Sequence, residues 1–265
     1  MTCIWPLRIS LCSILLISQP LLARQAVAPT TQPSVLLQKA LAALSGSVSV
    51  SDVTLTGTAE RIAGSDDETG TVVVKALDST GCRVDFNFPS GTRSEVYSTA
   101  SGNPTGSWVG PDATSHPISL HNLWTDPNWM FPAFALADFL NSSNYSFAYI
   151  GQESRDGQTV LHVSVWLLAA APQANTATLI QQLSQTEIYL DPVSLLPVAM
   201  TFNTHPDNDA GLNIPVEIRY SDYQSEAGVQ VPMHVQKYLN NGLVLDLQFQ
   251  KAATNSGLPA SLFVL

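Results

Sequence analysis

Between Val229 and Gln250 the chain is apolar at every second position, twice over. Val229, Val231, Met233 and Val235 form one run and Leu243, Leu245, Leu247 and Phe249 the next, with His234, Gln236, Asp246 and Gln248 between them. A helix would scatter such residues around its circumference; only an extended strand places all of them on one side. The chain is therefore committed here to strands with one apolar and one wet face, and what the apolar face meets becomes the functional question.

The same one-sided pattern recurs. Ile214, Val216, Ile218 and Tyr220 oppose Glu217, Arg219 and Ser221, and Leu161, Val163, Val165 and Leu167 oppose His162 and Ser164. Earlier runs, "VTLTGTAE", "TGTVVVKALDS", "CRVDFNFPSG" and "TRSEVYST", are separated by turn-rich segments, and Asp156-Gly157 marks a hairpin. The total is about ten to twelve strands against two or three helices, with no βαβ alternation, which predicts an antiparallel meander. For the last hairpin, a two-residue turn at Asn241-Gly242 would mix the faces. A three-residue turn, Asn240-Asn241-Gly242 with the glycine left-handed, pairs Leu239 with Leu243, Val235 with Leu247 and Met233 with Phe249, and is the register expected.

Three segments break the period of two. Val35–Leu44 carries Leu37, Ala40, Leu41 and Leu44 at helical spacing, with Pro33 near its start and Gly46 past its end. Thr176–Leu183 is a second short helical stretch. Residues 112–144 form an aromatic insertion holding Trp124, Trp129, Phe131, Phe134 and Phe139, helical over Ala133–Leu140. An insertion this apolar must cover something. Two stacked sheets would show the same alternation as one curved sheet. The amphipathic covers favour the curved sheet, so the expected fold is α+β, mainly β: a strongly curved antiparallel sheet forming an incomplete β-barrel closed by helices.

Charge narrows the function. Eleven basic residues against twenty-one acidic ones, a net charge of −10 and no Lys/Arg cluster argue against nucleic acid and against docking on an anionic lipid surface. At the start, Arg8 precedes an apolar run from Ile9 to Leu22 broken by Pro20, which reads as a secretory signal peptide cut after Ala23 or Ala26; an uncleaved anchor helix is the alternative. The expected organisation is a signal and cleavage region over residues 1–28, a linker over 29–34 and one domain over 35–265, periplasmic or secreted. Cys3 and Cys12 depart with the leader. Cys82 is then the lone cysteine, without an intramolecular disulfide, and reads as structural filler at a strand start.

Tyr189-Leu190-Asp191-Pro192, Leu196-Pro197, Tyr220-Ser221-Asp222-Tyr223, Gly228-Val229-Gln230-Val231-Pro232 and the terminal stretch from Asn255 to Phe263 follow the helix and the first strands in order. In this order and in these motifs the chain resembles the LolA/LolB-like outer-membrane lipoprotein-sorting proteins, over most of Pro33 to Leu265 except the insertion and the Leu167–Leu183 region. The resemblance implies an incomplete barrel whose apolar cavity accepts acyl chains of lipoproteins or lipids, in a monomer that meets a membrane donor or acceptor protein. It also implies an arginine on an early strand bonded to a lid; neither Arg61 nor Arg83 aligns with it.

Catalysis has no signature: there is no G-x-S-x-G, H-E-x-x-H, phosphate loop or C-x-x-C. No cofactor or metal is expected either. His116, His121 and Asp126 fit no standard ligand spacing, and His162, His205 and His234 read as solvated. Asp66-Asp67-Glu68 and Asp207 with Asp209 read as solvated turn residues. The expected ligand cavity is walled by Leu37, Leu41, Leu44, Trp108, Trp124, Trp129, Phe131, Phe134, Ile218, Val231, Met233, Val235, Leu245, Leu247 and Phe249, with helix Val35–Leu44 and the insertion as lids. An envelope sensor using the same fold with a self-filled interior is the alternative function, and a hydrolase without a recognised motif the third.

Overall fold

The alternation of the sequence becomes a single antiparallel sheet in the computed structural model, which describes Met1, residues 32–169 and residues 174–264. Helix α1 (Pro33–Ser45) leads into β1 (Asp52–Ala63), β2 (Asp66–Leu77), β3 (Gly81–Phe88), β4 (Gly91–Ser98), β5 (Thr105–Val109) and β6 (Ser115–Pro117). The insertion follows as 3-10 turns Leu120–Asn122 and Asp126–Trp129 and helix α2 (Pro132–Asn141). Then come β7 (Tyr145–Arg155), β8 (Gln158–Leu167), α3 (Ala174–Ser184), β9 (Thr186–Leu190), β10 (Pro197–Thr204), β11 (Ile214–Glu226), β12 (Val229–Leu239), β13 (Gly242–Thr254) and a final 3-10 turn, Ala260–Phe263. The predicted leader, with Cys3, Cys12 and both cut sites, lies outside the described residues.

The thirteen strands run in the order β6-β5-β4-β3-β2-β1-β13-β12-β11-β10-β9-β8-β7. β6 and β7 are neighbours in the chain but occupy opposite edges of the sheet. The insertion therefore bridges the two edges, and the barrel stays incomplete at that point. Across the inner face the register lines up one continuous row: Glu68, Arg61, Leu245, Lys237, Ile218, Met200, Ile188, Val163 and Tyr149. Most of this face is apolar and buried in one core with α1 and α2, as the period of two demands.

Helix α1 forms where Pro33 sets the first turn and Gly46, at φ 57°, ends it by donating its N–H to the Ala42 carbonyl at 2.8 Å. It buries Leu36, Leu37, Ala40 and Leu44, and packs on α2, β12 and β7. Burying such a leucine fully contributes about 1.5–3 kcal/mol. At the far end of the chain the buried Asp52 carboxylate accepts hydrogen bonds from Ser256 N (2.8 Å), Ser256 Oγ (2.7 Å) and Gly257 N (2.9 Å). Desolvation works against its charge, but these bonds outweigh it and keep its pKa below the usual aspartate value.

The last hairpin differs from expectation. Leu239 pairs with Gly242, so the turn has two residues, Asn240 and Asn241, at φ 48° and 64°, and the asparagines rather than the glycine are left-handed. A bulge then moves the register by one between Lys237 and Tyr238, so Val235 still faces Leu247, but Leu243 faces Tyr238 rather than Leu239. The core restores the face pairing that the turn alone would break. A second bulge, at Thr56/Gly57, brings β1 so near β13 that a Cβ on Gly57 would lie 2.1 Å from the Gln248 carbonyl oxygen.

Candidate ligand cavity

The insertion is fastened to the inner face at three places. The Tyr220 hydroxyl donates to the Trp129 carbonyl at 3.0 Å, and Lys237 Nζ sits 5.2 Å above the Trp129 ring. The Asn122 side chain donates to the His205 carbonyl at 2.8 Å and accepts from the His205 N–H at 2.9 Å. Leu123 packs closely over Gly106, where a Cβ would come within 2.6 Å of it. Pro132 opens α2 directly after the extended Phe131, turning Phe134 and Ala135 toward β3 and β4.

Between this cover and the inner face lies a cavity of about 270 Å³. Leu123, Trp124, Met130, Phe131, Phe134 and Ala135 form its roof, and Ala76, Cys82 and Tyr97 its floor. Phe131 and Phe134 meet edge to face at 4.9 Å. Polar residues of the β2–β3 and β4–β5 turns, with Asp138 of α2, surround its outer end. Apolar walls with a few polar groups at one end are the chemistry of a site for an amphiphile. Desolvation, with Glu95 adding to it, raises the pKa of the Cys82 thiol, so it is a protonated wall residue and not a nucleophile.

Charged groups lie beside the cavity on the same inner face. The Tyr97 hydroxyl donates to Glu95. Asp126, opening the turn that Trp129 ends, has its pKa pushed up to about 7 by desolvation, with Lys237 opposing and Glu95 adding to the shift. Arg61 (3.3 Å) and Arg93 (3.8 Å) both pair with Glu68 at the other end of β2. Arg83 turns outward to Asp85 at 2.8 Å and to the Leu262 carbonyl at 3.1 Å. Among the described residues neither Arg61 nor Arg83 bonds to the insertion.

Of the expected cavity residues, Trp124, Phe131 and Phe134 come together on the cavity wall. Trp129 is buried but turned to Tyr220 and Lys237. Leu37, Leu44, Ile218, Val231, Met233, Val235, Leu247 and Phe249 are buried within the packed core, with Leu41 and Leu245 partly buried against it. Trp108 is 43% exposed and stacks on His116 at 4.1 Å. Cys82, Tyr97, Leu123 and Met130 escaped sequence reasoning. Their signal was the alternation of β3 and β4 and the position of Leu123 and Met130 within the insertion.

The histidines also depart from expectation. His205 is 3% exposed, 5.9 Å from the His121 ring, and desolvation leads in lowering its pKa. His162 bonds to Glu187 at 2.7 Å and His234 to Asp246 at 3.0 Å. A carboxylate neighbour holds each of these two on the outer face. His116, His121 and Asp126 do not converge, and among the described residues no group of three or more His, Cys, Asp or Glu is placed to hold a metal.

A larger groove, about 640 Å³, lies outside the barrel between α3 and β9–β11. Its lining is mixed, with Phe202, Pro215 and Val216 beside glutamines, asparagines and the paired charges of Arg155 and Glu217 at 2.8 Å.

No family model matches the sequence, and no curated protein matches it. Solved structures do share the fold. A domain from Vibrio parahaemolyticus described as an outer membrane lipoprotein-sorting protein matches at 15% identity and a TM-score of 0.56, covering 87% of this chain and 95% of that one. A LolA superfamily protein from Nitrosomonas europaea matches at 13% identity and 0.55, covering 90% and 99%. A DUF1329 family protein from Desulfovibrio piger matches at 10% identity and 0.56, covering 87% and 95%. The fold of this chain is LolA-like.

Proposed function

We propose that this protein is an exported carrier that holds an acyl chain of a lipid or lipoprotein in the cavity under the insertion, by shape and apolar contact rather than by catalysis. The observation that carries the reading is the apolar cavity itself, left between two packed surfaces and opening through polar turns. The LolA-like fold supports it. At about 0.8 kcal/mol per buried methylene, a long chain supplies micromolar affinity without a specific polar contact. Release then requires a movable cover, and the insertion, bonded to the barrel at a few points, is better suited to this than α1, whose leucines are built into the core. The acting form is a monomeric domain beginning near residue 35, working in the periplasm or outside the cell and meeting a membrane donor or acceptor protein. Among the described residues no helix is long and apolar enough to cross a membrane.

The test is titration of delipidated protein with N-phenyl-1-naphthylamine, followed by displacement with a lauroyl lipopeptide. Saturable fluorescence that the lipopeptide reverses is expected; no uptake at high micromolar probe removes the carrier reading.

A second reading, an envelope sensor that binds another protein, is favoured by one observation. Most of the inner face is filled by the protein's own side chains, Leu37, Leu44, Ile218, Val231 and Leu247 among them. Native mass spectrometry separates the two, since co-purifying lipid favours the carrier and a lipid-free protein with a bound partner the sensor.

A further inference from the structure

The outer end of the cavity carries acids and hydroxyls. Asp78, Ser79 and Thr80 come from the β2–β3 turn, Thr99 from the β4–β5 turn and Asp138 from α2. No lysine, arginine or histidine is among the residues that line the cavity. The nearby cations are engaged elsewhere: Lys75 (3.8 Å) and Arg83 (2.8 Å) pair with Asp85 on the outer face, Arg61 and Arg93 pair with Glu68 at the opposite end of β2, and Lys237 lies over the Trp129 ring and acts on Asp126. Asp138 Oδ2 accepts a bond from the Tyr145 hydroxyl at 3.1 Å, and Asp78 Oδ1 accepts from the Thr80 N–H at 2.7 Å. The Ser79 side chain also bonds to Asp138, whose pKa desolvation raises; the remaining lone pairs of the two carboxyl groups can still accept a further donor.

A carboxylate head group entering here would lie beside the partly buried Asp138 and the exposed Asp78, with no cation among the lining residues to pair with, and the less solvated Asp138 carries most of the cost. A hydroxyl, amide N–H or ammonium would instead find acceptors. The cavity volume, about 270 Å³, lies at or below the lower end of the roughly 300–1,000 Å³ typical of small-molecule sites, so the closed form has room for one chain rather than several.

We infer that the cavity selects a single-chain amphiphile whose head is a hydrogen-bond donor and not an anion, and discriminates against free fatty acids; this rests on the carrier reading above. The discriminating groups are Asp78 and Asp138 at the outer end, and the chain runs inward toward Cys82 and Met130.

The experiment displaces N-phenyl-1-naphthylamine from the full chain at pH 8 with 1-decanol, decylamine and sodium decanoate, which share a chain length and differ in head group. Decanol and decylamine are expected to bind at least about tenfold more tightly than decanoate, equivalent to about 1.4 kcal/mol. Asp78→Asn with Asp138→Asn should improve decanoate several-fold and weaken decylamine, narrowing the preference over decanoate. Asparagine keeps the side-chain shape, accepts the Tyr145 and Thr80 bonds and tolerates the φ of 40° at position 78. Decanoate competing as well as decanol, or a double variant that does not shift decanoate, overturns this inference and leaves the carrier reading standing. Failure of all three amphiphiles to displace a probe that binds overturns both.

Discussion

Asn122 holds His205 by two hydrogen bonds, one to its carbonyl at 2.8 Å and one from its N–H at 2.9 Å, across 83 positions of sequence. Both residues are buried, so no water stands ready to replace either bond. This amide clasp ties the start of the insertion to the loop after β10 and sets where the cavity roof begins.

Asn122→Ala should therefore loosen the insertion ahead of the barrel. Leaving the His205 N–H and C=O unpaired in the interior costs about 1–3 kcal/mol. Hydrogen exchange is expected to accelerate over residues 118–131 more than over β11–β13; equal acceleration in both would mean that the insertion does not move as a separate cover.

Asp126 makes stability depend on pH. Its pKa in the folded protein is about 7 against 3.8 for the free side chain. Between these values the unfolded chain has released the proton and the native one still holds it, so this group's contribution is fully present below about pH 4 and is lost as pH rises through about 7. Asp126→Asn should match the parent near pH 4 and exceed it at pH 8 by on the order of 1–3 kcal/mol. Urea melts of both proteins across this range check the sign, and a variant less stable than the parent at pH 8 contradicts it.

Ala135→Trp tests the cavity from its roof. The side chain of Ala135 lines the space and is buried, so an indole there fills the volume a chain would take. Stability should fall by about 1–3 kcal/mol from overpacking, while N-phenyl-1-naphthylamine binding is lost. Retained binding in a folded variant places the ligand elsewhere.

The turn of the last hairpin offers a stabilising change. Asn240 and Asn241 both sit at positive φ, and glycine at the second of them is the strongest residue for this turn. Asn241→Gly should raise the thermal midpoint slightly, and Asn241→Val should lower stability by about 1–3 kcal/mol. A rise with valine would contradict the assigned turn.

Much of the architecture was legible in the chain itself. The alternation through Ile214–Tyr220 and Val229–Phe249 identifies the inner faces of β11–β13, because side chains on a strand have only two directions to choose between. Pro33 and Gly46 bracket α1 for an equally local reason. The hairpin at Asn240 was misread because a bulge, which restores the face pairing, depends on what the partner strand packs against and not on the turn residues.

The cavity is of another kind. Periodicity placed Ile218, Leu247 and Phe249 correctly on the inner face but carries no information on which part of that face the helices would fill. Cavity volume is a small difference between two packed surfaces far apart in the chain, here β2–β5 and residues 123–138. Likewise, nothing near Asp126 announces Glu95 or Lys237, which only the curvature of the sheet brings within electrostatic reach. The sequence by itself determined the sided strands, their meander and the aromatic cover, since these follow from local geometry. Tertiary structure alone decided where the space remains and which charges border it, because both arise from contacts between segments that local periodicity does not relate.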